Sequence, residues 1–218
     1  MWVRNKKHTF NMCVRLVRIV IQSQQQELKR REDMLQQDKD LIEEAVSSQE
    51  IYKGKIVHLF CDTVRLPNGK EATREVIRHV GAAAVVPLTD EGNVILVRQY
   101  RYPFAQVMLE IPAGKLDVGE DPLECAKREL AEETGYDAKT FVYLGAFYPS
   151  VAMLDEVIHL YLARNMILRE TNLDEDEFLH VEQRPLEELA EEIMAGGVPD
   201  GKTQAAVLKA WYLLHTQK

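Results

Sequence analysis

The sequence has few cysteines, and they show no pattern of pairing. Its 218 residues contain three, Cys13, Cys61 and Cys125, which cannot all pair within the chain and lack the spacing of metal ligands. Disulfides are typical of oxidising compartments, so a reduced chain is expected in the cytoplasm.

The sequence also lacks a long apolar run. The most apolar early segment, residues 10–21, is interrupted by Arg15 and Arg18 and is followed by glutamines rather than by a small-residue cleavage site. We therefore expect no stable membrane association. We interpret residues 1–40 as a basic extension, helical or poorly ordered, although basic residues interleaved with aliphatic ones also fit a helix that binds a membrane surface or a partner.

Positive charge is scarce beyond this extension. Residues 1–31 contain eight Lys and Arg and one acid, whereas the rest of the chain contains 19 basic and 34 acidic residues and carries a net charge of −15. A body this acidic repels phosphate backbones, so we expect no nucleic-acid partner.

Turn signals and apolar runs divide the remaining chain into strands and helices without an internal repeat. Asn68 and Gly69 indicate a tight turn between two strands, so the pair is a predicted β-hairpin. The continuous apolar run over residues 81–88 is typical of a strand buried on both faces. The predicted strands are residues 51–64, 72–79, 81–88, 94–100, 140–148, 157–163 and 178–183, with a long loop after residue 100, and the predicted helices are residues 122–134, 185–194 and 202–216.

This order predicts an α/β (α+β) fold, in which helices pack on a mixed sheet. We expect a hairpin region over residues 41–80 and one main domain over residues 81–218.

The helix over residues 122–134 has clear local signals at both ends. Asp121 is the predicted N-cap, Pro122 suits the first helical position, and Glu124 has the spacing of a capping box. Gly135 is suited to the residue that ends the helix.

Three carboxylates share one face of this helix. At 100° per residue, Glu132 and Glu133 lie within about 60° of Glu129, beside the apolar stripe. Only Arg128, four residues before Glu132, is placed to offset their repulsion. Such a cluster fits a hard divalent cation that also binds a substrate phosphate, as Mg²⁺ does, but it also fits an acid-rich solvated helix.

The complete spacing around the helix decides between these interpretations. Gly114 is followed after five residues by Glu120, and after seven more by Arg128-Glu129-Leu130-Ala131-Glu132-Glu133-Thr134-Gly135-Tyr136. This string resembles the sequence box of the Nudix hydrolase family at every fixed position. Seven fixed residues match by chance on the order of 10⁻⁹ per register.

Further strings resemble the ADP-ribose pyrophosphatase branch of that family. They are Arg74-Glu75-Val76, Val97-Arg98-Gln99-Tyr100-Arg101, Leu109-Glu110-Ile111-Pro112-Ala113-Gly114-Lys115 and Asp200-Gly201-Lys202-Thr203. The branch often has Ser-Pro-Gly in the loop after the box. This chain departs from that pattern with Ser150-Val151-Ala152, and the loop acids that follow are Asp155 and Glu156.

The resemblance implies a Nudix-type α/β/α sandwich and a Mg²⁺-dependent pyrophosphohydrolase, with Mn²⁺ as a substitute cation. The implied substrate is a nucleoside diphosphate linked to another moiety, foremost ADP-ribose, which would give AMP and ribose 5-phosphate. The alternatives are another ADP-sugar, a dinucleotide, a nucleoside triphosphate, or a non-catalytic Nudix-fold ligand sensor. A homodimer is also implied, in which the hairpin region reaches the partner's substrate site.

The resemblance also implies roles for individual residues. Glu156, or alternatively Asp155, would activate the attacking water, and Arg128 would orient the acidic cluster. Arg101 is the candidate phosphate ligand, Glu75 is a candidate for the ribose or base, and Arg74 and Arg98 are further substrate-binding candidates. The implied metal ligands are Glu129, Glu132, Glu133, the Ala113 carbonyl and Glu120, with Glu133 also counted among the catalytic residues.

Overall fold

The computed structural model describes residues 38–168 and 178–216. The chain forms two compact units that divide between His79 and Val80. The predicted basic extension lies outside the described residues except for its last three positions.

The N-terminal unit contains a three-stranded antiparallel sheet in the order β1-β2-β3. Its strands are β1 (Glu44–Lys53), β2 (His58–Arg65) and β3 (Glu71–Arg78). The predicted turn at Asn68 and Gly69 is confirmed, with Gly69 at φ +81°. The prediction of one strand over residues 51–64 is wrong, because the chain turns at Gly54, whose N–H donates to the Val57 carbonyl at 2.9 Å.

The second unit is built on a mixed seven-stranded sheet. The path β10-β5-β4-β9-β8 has one parallel pair, β4 with β9, while β6 pairs with β5 and β7 pairs with β4. The strands are β4 (Ala82–Leu88), β5 (Asn93–Arg101), β6 (Gln106–Glu110), β7 (Ala113–Lys115), β8 (Tyr136–Phe147), β9 (Ile158–Leu168) and β10 (Leu179–Pro185). All seven residues of β4 are buried, as the apolar run predicts.

Strands β6 and β7 occupy part of the segment where the sequence predicts a long loop. A short 3-10 turn at Tyr102–Phe104 and a left-handed Ala105 (φ 50°) reverse the chain, so that β6 returns antiparallel to β5. Strand β7 then pairs with the start of β4. The loop prediction is therefore wrong here.

Three helices accompany this sheet in the described part of the chain: α1 (Pro122–Thr134), α2 (Leu186–Met194) and α3 (Gly201–Thr216). The predicted bounds of α1 are confirmed, and α2 and α3 each begin one residue from the predicted start. Helix α1 packs Cys125, Ala126 and Leu130 against Ala83 and Val85 of β4. The predicted α/β fold with a mixed sheet is thus confirmed, and no helix in the described ranges is long and apolar enough to cross a bilayer.

Candidate active site

Helix α1 is held at both ends by local contacts. The Asp121 carboxylate accepts a hydrogen bond from the Leu123 N–H at 2.8 Å, and Pro122 occupies the first turn, where no backbone donor is needed. At the other end Gly135 adopts φ +71° and its N–H donates to the Ala131 carbonyl. The side chains from Arg128 to Glu133 therefore project from a fixed frame.

Arg128 brings the box carboxylates together. Its guanidinium donates to both carboxylate oxygens of Glu120 at 3.0 Å, to Glu129 at 2.7 Å and to Glu132 at 3.0 Å. It also donates to the carbonyl of Lys115, the last residue of β7, at 3.1 Å. One cation thus connects the helix, the loop before it and the strand beside it.

This contact stabilises the ionised form of Glu120. The hydrogen bonds from Arg128, assisted by the Asp117 N–H at 2.9 Å, lower the pKa of Glu120 to about 2. The same carboxylates raise the pKa of Arg128 above its ordinary value. Glu120 and Arg128 therefore both remain charged at neutral pH.

Strand β7 lies directly against the acidic face of α1. The Ala113 N–H donates to Glu133 at 3.2 Å, and Glu129 and Glu133 are only 8% and 4% exposed. A Cβ on Gly114 would overlap the Glu129 carboxylate, so any other residue here would displace that carboxylate from its observed position. This contact gives a physical reason for the glycine that begins the box.

The donor set of this cluster suits a hard cation. Carboxylate and main-chain carbonyl oxygens are the ligands that Mg²⁺ prefers, and no sulfur or imidazole ligand is required. In the described part of the chain, no three acidic, histidine or cysteine side chains already form a metal-binding group. Arg128 lies among the carboxylates instead, so side chains must turn for a cation to bind between them.

These residues open into a cleft of about 710 Å³ in the second unit. The carboxylates of α1, the main chain of β7 and the cations of β5 and α3 all line it. Among the residues named from the sequence, the lining includes Arg101, Ala113, Arg128, Glu129, Glu132, Glu133 and Glu156. Glu120 joins the group through Arg128.

The loop before β9 separates the two candidate water-activating acids. Glu156 lines the cleft and is partly buried, whereas Asp155 is exposed and is not among the lining residues. The placement of Glu156 fits a role at the reacting phosphate.

Arg101, Asp200 and Lys202 also line the cleft, and they form a second polar cluster with the buried Glu110. Glu110 is 2% exposed and accepts hydrogen bonds from Arg101 at 2.6 and 2.9 Å and from Lys202. Lys202 also contacts Asp200 at 3.0 Å. Sequence reasoning assigned no role to Glu110, Asp200 or Lys202; the only signal was their presence in strings that resemble the ADP-ribose pyrophosphatase branch.

The other substrate-binding candidates are one residue of β5 and two residues of β3. Arg98 is exposed, pairs with Glu182 at 3.6 Å, and is not brought to the cleft. Adjacent residues of a strand face opposite sides, so Arg98 and Gln99 cannot both face it. Arg74 and Glu75 belong to β3 of the N-terminal unit, where Arg74 binds Glu43 and Glu75 is opposite Cys61.

Family comparisons match both units of the chain. Residues 78–204 match the NUDIX domain, and residues 43–77 match the nucleoside diphosphate sugar hydrolase N-terminal domain. The two matches together extend over nearly all of the described residues.

Two curated relatives share more than two fifths of their aligned residues with the chain. An ADP-ribose pyrophosphatase from Bacillus subtilis (strain 168) is 43% identical over 171 residues, which is 78% of this chain and 92% of the relative. A protein named methanol dehydrogenase activator, from Bacillus methanolicus, is 42% identical over 167 residues, covering 76% of this chain and 90% of the relative.

A solved structure has the same fold. The crystal structure of an ADP compounds hydrolase superposes with a TM-score of 0.73 at 21% identity, covering 80% of this chain and 95% of that one.

Proposed function

The chain belongs to the Nudix hydrolase family, and from this premise we propose that it hydrolyses ADP-ribose to AMP and ribose 5-phosphate with Mg²⁺ as cofactor. The observation that carries the proposal is the cleft in which the Arg128-centred carboxylates face the same space as Arg101 and Lys202. A diphosphate needs both features, since its charge must be neutralised and its position fixed. The name of the Bacillus subtilis relative supports ADP-ribose as the substrate.

A divalent cation is the general cofactor of this family, and the chemistry of the donor set favours Mg²⁺, with Mn²⁺ as a substitute. Glu129, Glu132, Glu133 and the Ala113 carbonyl would hold it, with Glu120 as a further acid. When bound, the cation supplies charge neutralisation for the diphosphate and makes a water molecule more acidic.

The remaining steps belong to the side chains of the cleft. Glu156 accepts a proton from the water as the water oxygen attacks one phosphorus. The bond from that phosphorus to the bridging oxygen then breaks. The bridging oxygen leaves with the other phosphate, so that AMP and ribose 5-phosphate are formed. Arg101 holds a phosphate through charge-assisted hydrogen bonds, and Arg128 keeps the carboxylates oriented.

The functional unit that we propose is a homodimer. All ten residues of β1 are exposed, and the exposed apolar side chains of the N-terminal unit include Val46, Ile51, Tyr52 and Ile56. Exposed apolar side chains of this kind are typical of protein interfaces. A second copy would cover it and bring Arg74 and Glu75 of one subunit to the substrate of the other. Light scattering coupled to gel filtration should give twice the mass of the chain, and a monomer would refute this arrangement.

We propose the cytoplasm as the location. Cys61 and Cys125 are both free thiols, as expected of a reducing compartment.

A hydrolysis screen tests the proposed activity. The purified chain would be incubated with Mg²⁺ and, separately, with ADP-ribose, ADP-glucose, NADH, FAD and nucleoside triphosphates, and the products identified by mass spectrometry. We expect the highest kcat/KM for ADP-ribose, with AMP and ribose 5-phosphate in equal amounts, and strong loss of turnover in Glu132→Gln. A higher kcat/KM for another substrate would reassign the specificity, and ligand binding without turnover would favour the sensor.

A further inference from the structure

Glu110 is a buried carboxylate that the proposed mechanism does not use. It ends strand β6 and is 2% exposed, less than either of the buried box acids Glu129 and Glu133. Burying a carboxylate without partners is costly, so its surroundings must compensate its charge.

Two cations compensate it from different elements. Arg101 at the end of β5 donates through Nε at 2.6 Å and through Nη2 at 2.9 Å, while Lys202 of α3 contacts the second carboxylate oxygen. Burial alone would raise the pKa of Glu110, but the Arg101 hydrogen bonds and the Lys202 charge outweigh it and lower the pKa. Glu110 is therefore ionised at neutral pH and holds both cations by charge.

Lys202 is also held in place by contacts other than the one to Glu110. Asp200 binds Lys202 at 3.0 Å and accepts the Thr203 N–H at 2.9 Å in the first turn of α3. The Thr203 hydroxyl in turn accepts the Ile111 N–H at 2.9 Å, immediately after Glu110. Lys202, with its side chain 12% exposed, therefore has little freedom to move.

Arg101 is the member of the network with the most exposed side chain. That side chain is 40% exposed and lines the cleft. Because the contacts to Glu110 use Nε and Nη2, the remaining terminal nitrogen, Nη1, is left for a ligand in the cleft. A guanidinium held in this two-point geometry has a fixed plane, which preorganises it for an anion.

We propose that Glu110 is a positioning residue that orients Arg101 toward a phosphate of the substrate. This inference rests on the proposed function, in which Arg101 binds phosphate. Lys202 and Asp200 keep Glu110 in place, so that strands β5 and β6 and helix α3 together set the direction of one guanidinium. Preorganisation of this kind contributes to catalysis because the binding geometry is fixed before the substrate arrives.

A double-mutant cycle between Glu110 and Arg101 tests the proposal. Steady-state kinetics would be measured for the wild type, Glu110→Gln, Arg101→Ala and the double variant, with whichever substrate the wild type turns over fastest. We expect Glu110→Gln to lower kcat/KM by about 10- to 100-fold, and to change kcat and KM in the same proportion as Arg101→Ala. When Arg101 is already alanine, adding Glu110→Gln should lower kcat/KM little further, because Lys202 keeps Asp200 as its partner.

The matched control is Glu182→Gln. Glu182 also binds an arginine of strand β5, Arg98, but that arginine is not brought to the cleft. This variant should retain wild-type kinetics. Thermal melting of all variants ensures that the assays are run on folded protein.

Independent effects of the two changes, multiplying in the double variant, would overturn the proposal. So would a Glu110→Gln variant whose kcat and KM change in a different proportion from those of Arg101→Ala, because the two residues would then act through different interactions. If ADP-ribose is not the substrate, the proposed specificity is wrong. The double-mutant cycle still tests the coupling between Glu110 and Arg101, because it uses the substrate that the enzyme turns over.

Discussion

At the scale of single residues, the loop before β9 presents two neighbouring acids with different surroundings. Glu156 lines the cleft, and Asp155 is exposed and outside its lining. Removing the charge of each in turn therefore separates a role at the substrate from a general effect of loop charge.

We predict that Glu156→Gln lowers kcat by about 10²-fold or more while KM and metal affinity are retained, because the amide keeps the shape but cannot take a proton. Asp155→Asn is the matched control and should remain close to wild type. Steady-state kinetics and metal titration give the three quantities. If kcat falls in Asp155→Asn or Glu120→Gln instead, that residue is the base. If kcat falls only slightly in all three variants, no protein base is needed.

The buried charge of Glu110 predicts a pH dependence of stability. Its pKa in the folded protein lies below the ordinary 4.5, so folding favours the ionised form. The contribution is fully present above about pH 4.5 and is lost as the pH falls through the lower folded pKa. We expect Glu110→Gln to lower the free energy of unfolding by about 1–3 kcal/mol near neutral pH, and by progressively less in acid.

Urea unfolding of the wild type and Glu110→Gln in EDTA, from pH 7 downward, measures this difference. A difference that grows in acid would mean that Glu110 is held protonated in the fold.

At the scale of elements, the N-cap of α1 determines how firmly the acidic face is held. Asp121→Ala removes the acceptor of the Leu123 N–H and should lower the free energy of unfolding by about 1 kcal/mol. Asp121→Asn keeps an acceptor oxygen and should recover most of the loss. Urea unfolding of the wild type and the two variants measures these differences. An equal loss of unfolding free energy in both variants would show that Asp121 acts through its charge rather than as a cap.

The elements differ in how far the sequence predicts them, because their signals differ in range. Helix α1 was predictable to the residue, since its caps and periodicity lie within the segment itself. Strands β6 and β7 were not, because short segments are specified by pairing with β5 and β4 rather than by their own periodicity. The turn at Gly54 was missed because a lone glycine, here between Lys53 and Lys55, is a weak turn signal.

The contacts within the site also differ in how far the sequence predicts them. The i,i+4 contact of Arg128 with Glu132 follows from helix geometry and is present at 3.0 Å. Glu110 and Lys202 are 92 residues apart in sequence. Only the packing of α3 beside β6 brings them together, so no local pattern could have predicted their contact.

At the scale of the whole molecule, the basic extension precedes in the sequence every residue to which the proposed chemistry is assigned. Both family matches begin after it, at residues 43 and 78. We predict that deleting residues 1–39 leaves specific activity and Tm nearly unchanged. Both are measured on the full and shortened chains side by side, and a collapsed Tm would show that the extension contributes to the fold.

Vesicle flotation of the same two proteins tests the membrane interpretation of the extension. We expect neither to float. Flotation of the full chain alone would assign the extension to a membrane surface.

We propose that the carboxylates of α1 support cleavage of a diphosphate only together with a divalent cation. The most direct test is the rate of AMP release from ADP-ribose in metal-free buffer with EDTA, followed by addition of excess Mg²⁺. We predict no turnover in the chelator and full recovery with Mg²⁺ or Mn²⁺, because the cluster offers only hard oxygen ligands. Full turnover in EDTA would contradict the account.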